Sequence, residues 1–351
     1  WIRLHTNYAH HRAAVERVLD AHDRDVVQAA VEGSPAAEIE SAVVQAGGAA
    51  AVMHDRSQWL SSPPGAATAE APPVEITERP ATTGSGWSLG GGVLPFEGIR
   101  VLDLTRVIAG PVATKFLAGY GADVLRIDPP GFEEVPSLLP ETTLGKRTTA
   151  LDLTTPTDRA TFEQLVAGAD VLVAGLRADA LPGLSYDDQT LTELNPGLII
   201  ASLDAYGWHG PWRNRRGFDS LVQMSCGIAA DGAAARGQDE PGPLPVQALD
   251  HATGWLLATA ITRALTHRLT NPTTVRIHAS LIGTANLLYT LNPPAEQPPR
   301  PNPKDLPIED TETAWGPATR VPLPGHIDGI TPHWTHQAGP LHRHTAAWNP
   351  R

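Results

Sequence analysis

The sequence predicts an α/β protein: a parallel sheet with helices on its faces, preceded by a small helical domain. Two observations carry this. Over residues 95–291, short β-branched or Leu-rich runs alternate with short helical segments, the pattern of strands joined by crossover helices. Over residues 1–61, apolar residues recur at helical spacing. Between them, residues 62–94 are rich in Pro, Gly, Ala and Thr and read as a linker, and residues 292–351 read as a Pro-rich tail.

The elements follow in order. RAAVERVLDAH, DVVQAAVEG and AAEIESAVVQAGG are three helices of the first domain, and Ser34 before a proline is a helix start. VEIT inside the linker is a short strand. In the core, IRVLDLT is a strand, PVATKFLAGY a helix, and DVLRID and TTALDLT the next two strands. DRATFEQLVAGA is a helix, followed by the strands DVLVAGL and LIIASLDAYG. FDSLVQMSCGIAA and ATGWLLATAITRALTHR are helices separated by a Pro/Gly loop, DGAAARGQDEPGPLPVQAL. TTVRIHAS closes the strands and LIGTANLLYTL the helices. The tail lacks periodicity and is read as wrapping a surface or partly disordered. No internal repeat is found.

The composition excludes several classes. The chain has 351 residues, 41% of them hydrophobic and 18% charged, so a substantial core can form. The net charge of −12 argues against a nucleic-acid partner, whose phosphates need a basic surface. A local basic patch could still hold a small anion. No run approaches the ~18 apolar residues of a membrane span. Cys226 is the single cysteine, which excludes an intramolecular disulfide and a multi-cysteine metal site and fits a cytoplasmic protein. No signal peptide is evident. Residue 1 is Trp, so the start of translation is expected elsewhere.

Several motif-like features carry no chemistry. A first strand, turn and helix, with Asp128 ending the second strand, suggests a dinucleotide site, but the turn reads TRVIAGP rather than GxGxxG. GKRT at 145–148 lacks the upstream glycine of a phosphate loop. His5, His10 and His11 are read as solvent-facing, because adjacent helix positions point ~100° apart and share a metal poorly. His333, His336, His342 and His344 lie in aperiodic text with no rigid element to fix a ligand set, so no metal site is expected. Ser225 lacks the preceding glycine of a nucleophile elbow, and Cys226 reads as core.

Six blocks in residues 95–290 instead resemble the class III coenzyme A transferases, a family that includes formyl-CoA and carnitine CoA-transferases and is related to the α-methylacyl-CoA racemases. The blocks are PFEGIRVLDLTRVIAGPVATKFLAGYGADVLRIDPP, GKRTTALDL, ADVLVAGLRADAL, LNPGLIIASLDAYGWHGPW, FDSLVQMSCGI and LPVQALDHATGWLLATAITRAL, in the family's order. The resemblance implies a Rossmann-like sheet domain, a smaller second domain, and a homodimer of interlocked chains. It implies acyl-CoA and a small carboxylic acid as substrates, with no resident cofactor. It also implies that Asp250 is the nucleophile. By position it suggests CoA contacts at Val107, Ile108 and Ala109, at Leu151, and at Gly175 and Leu176. Lys146 and Arg147 either face the CoA phosphates, or belong to a solvated loop or to internal ion pairs.

Read locally, Asp250 stands just before a helix, where Asp is a preferred N-cap. Both roles fit together, since a helix N-terminus favours the ionised carboxylate and offers N–H groups to an oxyanion. The sequence departs from the family where its ENF block reads AGL, at Ala174 and Gly175. Phe218 stands where the racemase branch has a histidine, which favours transfer over racemisation because a racemase needs a second acid/base. Residues 1–60 look like the family's small domain, which normally follows the core, so the chain is expected to be the rear part of a longer tandem protein. The family's glycine-rich loop is not seen in its usual place. Two alternatives stay open: an acyl-CoA racemase or isomerase, and a non-catalytic partner subunit of the same fold.

Overall fold

The computed structural model describes residues 1–80, 92–271, 273–292, 302–324, 327 and 329–350. The middle of the expected linker and part of the tail lie outside them. No helix of the described residues is long and apolar enough to cross a membrane.

The first lobe contains β1 (Ile2–Leu4), α1 (Ala9–Leu19), α2 (Arg24–Glu32), α3 (Ala36–Gln45), β2 (Ala50–Val52) and α4 (Arg56–Ser61). The three expected helices form. Val15, Ile39 and Val43, at helical spacing, pack with Ala50 as their shared core. β1 and β2 pair antiparallel; at three residues each they leave no period to read. Asp23 caps α2 through Val26 N–H, and Asp55 with Gln58 forms a capping box on α4. The helix expected from Ser34 is instead preceded by Pro35, with no side-chain cap.

Most of the described linker is structured. Ser62 caps α5 (Pro63–Thr68), and β3 (Val74–Pro80) contains the expected VEIT strand. The core continues with β4 (Arg100–Leu104), α6 (Ala109–Gly119), β5 (Asp123–Asp128), α7 (Leu139–Thr142), β6 (Arg147–Ala150), α8 (Pro156–Ala167), β7 (Val171–Ala174), α9 (Ala180–Gly183), α10 (Asp188–Leu194) and β8 (Ile199–Asp204). Then come α11 (Asp219–Cys226), α12 (Ile228–Ala235), α13 (Ala248–Arg268), β9 (Thr273–Ser280) and α14 (Leu281–Thr290), and a hairpin of β10 (Glu309–Thr313) and β11 (Gly316–Arg320).

A seven-stranded sheet runs in the order β3-β9-β8-β7-β4-β5-β6. All its pairs are parallel except the edge pair β3–β9. Successive residues point to opposite faces, which divides the apolar strands between two cores. Val101, Val124, Val171 and Ile199 pack with Leu117, Leu257 and Ile261 of α6 and α13. Leu102, Leu125, Leu172 and Ile200 pack with Phe162 and Leu165 of α8.

Two expectations are corrected. The single helix FDSLVQMSCGIAA breaks at Gly227, whose φ of 105° ends α11. The text after it, expected as loop, continues as α12 to Ala235. The last twenty described residues of the tail wrap the sheet edge at β6. Thr148 N–H donates to His344 Nδ1 at 3.0 Å, and His344 N–H donates to Thr148 O at 2.8 Å. The indoles of Trp334 and Trp348 donate to Lys115 O and Leu165 O. The contact covers backbone groups that an edge strand would otherwise expose.

Candidate active site

The site forms where α13 starts beside the turn that opens α6. At Gly254 the two helices approach so closely that a Cβ would lie 2.5 Å from Ala109 O. The contact holds Asp250 against the β4–α6 turn.

Asp250 is not the N-cap. Helix α13 begins at Ala248, so Asp250 lies in its first turn, and the preceding Gln247 makes no side-chain cap. The cap comes from another helix. Asp219, the first residue of α11, uses Oδ2 to accept from Leu249 N–H at 2.9 Å and Asp250 N–H at 3.0 Å. Its other oxygen takes Gln223, which in turn accepts from Leu244 N–H. The Asp250 side chain is then free for other work: among the described residues its carboxyl accepts no hydrogen bond. Burial, and secondarily the charge of Asp219, raise its pKa well above the ordinary carboxylate range. The sequence suggested the opposite, that the helix N-terminus would favour the ion. Asp219 already occupies the two nearest N–H groups, and burial outweighs what remains of the dipole.

Asp250 opens onto a cavity of about 410 Å³. Its walls are the β4–α6 turn, the segments after β7 and β8, the segment before α11, and α1 of the first lobe with Tyr8 just ahead of it. This is the carboxyl end of the parallel strands, where open α/β sheets place their ligands. Of the expected contact residues, Val107, Ala109, Gly175 and Leu176 line the cavity with Asp250. Four others do not. Ile108 faces a smaller cavity with Gln247 and His251. Leu151 is packed in the α8-side core. Lys146 is fully buried, with Nζ 2.9 Å from Asp103 Oδ2. Arg147 grips Asp123 through two bonds of 3.0 Å and donates to Ala347 O in the tail. Both cations are therefore internal ion pairs and not surface contacts for phosphate.

The Asp103 network fixes the turn from beneath. Asp103 accepts from Thr105, Thr114 and Lys146. Burial alone would raise its pKa, but Lys146, Arg126 and the two hydroxyls outweigh burial and hold it below the usual range. Above this network Val107 has φ 54°, which is rare for a β-branched residue. Its N–H donates to Glu134 Oε2 at 2.9 Å, and Glu134 also receives Arg126 and the hydroxyl of Tyr8. Tyr8 thereby ties the first lobe to the turn.

Two of the three histidines expected to face solvent do not. His5 and His11 are buried, and His5 stacks on Phe218 with ring centroids 3.6 Å apart. Burial first, with neighbouring charges, lowers their pKa to about 4 and about 3, so both are neutral imidazoles. His10 is exposed and lines the cavity. Sequence reading also missed Asp204, Asp219 and Glu134. Asp204 ends β8 and lines the cavity; Gly207 N–H donates to its Oδ1 at 2.8 Å, and Oδ2 is buried without a partner among the described residues.

Residues 96–318 match the model of CoA-transferase family III. A probable fatty acyl-CoA transferase of Mycobacterium tuberculosis is 32% identical over 228 residues, covering 60% of this chain and 57% of that protein. A succinate–glutarate CoA-transferase of Agrobacterium fabrum is 34% identical over 193 residues, covering 50% of this chain and 48% of that protein. A crystal structure of a hypothetical protein from Mycobacterium tuberculosis superposes with a TM-score of 0.50 at 32% identity, covering 56% of this chain and 57% of that one. The chain thus spans about half the length of the curated relatives it matches. With the family match extending over most of the chain, and the six sequence blocks lying in that region, the chain belongs to CoA-transferase family III.

Proposed function

We propose that the chain moves coenzyme A from an acyl-CoA to a carboxylic acid, with Asp250 as the covalent carrier. The observation that carries this is a carboxyl that accepts no hydrogen bond among the described residues, placed at a helix start whose backbone N–H groups a second carboxylate holds, and opening onto a cavity. The ionised Asp250 attacks the thioester carbonyl. An O–C bond forms and the C–S bond breaks, giving a mixed anhydride and CoA thiolate. The thiolate attacks the Asp250 carbonyl, forming an aspartyl-CoA thioester and releasing the donor acid. An acceptor carboxylate then attacks that thioester, and the thiolate released attacks the acyl carbonyl of the new anhydride, regenerating Asp250. The covalent route preserves the thioester energy, provided water is kept out.

Val107, Ala109, Gly175 and Leu176 are the residues proposed to meet CoA. The assembly proposed is a homodimer of interlocked chains, as the family resemblance implies, acting in the cytoplasm, as the single cysteine suggests; sedimentation equilibrium tests the dimer. Transfer is tested by mixing the protein with donor acyl-CoAs and a panel of carboxylic acids and following new CoA thioesters by mass spectrometry. The expected result is acceptor-dependent product that Asp250→Ala abolishes. Deuterium wash-in at the α-carbon without transfer would replace this reading with the isomerase one. CoA binding without either activity would favour the partner-subunit reading.

A further inference from the structure

The attack by Asp250 creates an oxyanion, and an oxyanion needs preorganised donors. The start of α13 does not supply the nearest ones, because Asp219 already takes the N–H groups of Leu249 and Asp250. Another donor has to reach the same cavity.

Resting on the Asp250 reading above, we propose that Asp204 is that donor: a neutral carboxylic acid whose Oδ2–H hydrogen-bonds the thioester oxygen as it becomes the tetrahedral oxyanion. Asp204 shares the cavity with Asp250. Its Oδ1 is anchored by Gly207 N–H at 2.8 Å, in a turn where Gly207 has φ 86°. The anchor fixes the carboxyl and leaves Oδ2, buried and without a partner among the described residues, for a ligand. Burial raises its pKa to about 7, against the single backbone bond from Gly207. A buried carboxylic acid is a competent oxyanion donor while it holds its proton, which here means below about pH 7. In the step itself, Asp250 forms the O–C bond and the carbonyl electron pair moves to oxygen, where Asp204 donates. On collapse the C=O re-forms and the C–S bond breaks. Asp204 keeps its proton throughout.

The charged neighbours do not undo this. Four guanidiniums share the cavity, and none lies within ion-pair distance of Asp204. Arg106, Arg177 and Arg215 are directed to Asp128, Asp179 and Glu40. Arg216 stands beside Arg177 and Asp179. Of the other titratable neighbours, His10 and His11 are shifted down, Tyr8 is shifted up, and Asp250 carries its own raised pKa. Across the sheet the register partner is Ser280, which is uncharged.

The test uses this chain with acetyl-CoA and succinyl-CoA as probes, measuring hydroxylamine-trapped adduct at Asp250 as a function of pH. Asp204→Ala removes the donor and should slow acylation about 10²–10³-fold. Asp204→Asn keeps both the Gly207 anchor and an N–H donor but cannot ionise. Wild type should lose about tenfold in rate per pH unit above the Asp204 titration, and Asp204→Asn should lack that falling limb. A purely structural Asp204 would leave the falling limb the same in both. Separately, ¹³C-aspartate NMR of the unliganded protein should show a carboxyl titrating near pH 7 that is missing in Asp204→Asn. Titration in the ordinary range near 4, or an unchanged rate in Asp204→Ala, overturns the proposal while leaving Asp250 as carrier. No adduct on wild-type Asp250 with either probe overturns both.

Discussion

Asp219→Asn separates the two duties assigned to Asp219: capping α13 and biasing the charge of Asp250. The substitution keeps an oxygen where Leu249 and Asp250 donate, but makes it neutral. A hydrogen bond to a charged group contributes about 1.5–3 kcal/mol and a neutral one about 0.5–1.5, so two weakened bonds cost about 2 kcal/mol. Asp219 is itself buried and its own pKa is raised by that burial, which trims the cost toward 1 kcal/mol. Urea unfolding should therefore show a lower midpoint with an unchanged slope. The second effect is on Asp250, whose pKa is raised by burial and then by Asp219. Removing only the second cause moves the acid limb of Asp250 acylation to lower pH and leaves it above the ordinary carboxylate range. The stability profile follows with a definite sign. A carboxyl whose folded pKa is raised binds more protons when native, so stability falls as pH rises from its unfolded value through its folded one. Asp219→Asn deletes one such group and weakens another, so its stability should fall less over that window than wild type. An acid limb that stays put or moves upward would refute the placement of Asp219 beside Asp250.

Three further outcomes are expected. Lys146→Met strands the buried Asp103 carboxylate and should cost about 3–5 kcal/mol in urea unfolding. Calorimetry with CoA on the folded variant should give the wild-type Kd, and a many-fold weakening would contradict the internal ion pair. Val107→Gly exchanges a left-handed strain of about 1–2 kcal/mol for the greater chain entropy of glycine, about 0.5–1 kcal/mol; stability should stay within about 1 kcal/mol of wild type, and a loss above 3 would mean the turn does not need φ 54°. Trp334→Ala removes the indole packed on Gly119 and Gly145 and should cost about 2–4 kcal/mol. Hydrogen exchange should speed up at Thr148 on the sheet edge and stay unchanged in β7.

Legibility in the sequence followed pattern length. β4, β7 and β8 are buried apolar runs, and α13 is a long helix, so each was readable from residues alone. The three-residue strands β1 and β2 carry no period, and α12, an alanine-rich segment next to a Pro/Gly stretch, looked like the loop it enters. The end of the tail lacks periodicity because its described residues dock: Trp334, His344 and Trp348 bind backbone groups of α6, β6 and α8, and no local pattern records that. At the site, the family blocks led to Asp250, Val107, Ala109, Gly175 and Leu176, which the fold brings to one cavity. They also suggested phosphate contacts at Lys146 and Arg147, but the carboxylates that claim these cations lie 43 and 24 residues away in sequence. Asp204 and Asp219 went unnoticed for a related reason. One ends a strand and the other starts a helix, unremarkable positions for Asp, and their importance arises only where the elements meet.

The central claim, that Asp250 becomes covalently acylated, is tested most directly by peptide mapping. The protein is incubated with a panel of acyl-CoAs, quenched with hydroxylamine and digested, and the peptide spanning α13 is sequenced by mass spectrometry. The expected result is a hydroxamate on Asp250, dependent on acyl-CoA and absent in Asp250→Ala. A hydroxamate on another carboxyl, or transfer that persists in Asp250→Ala, would contradict it.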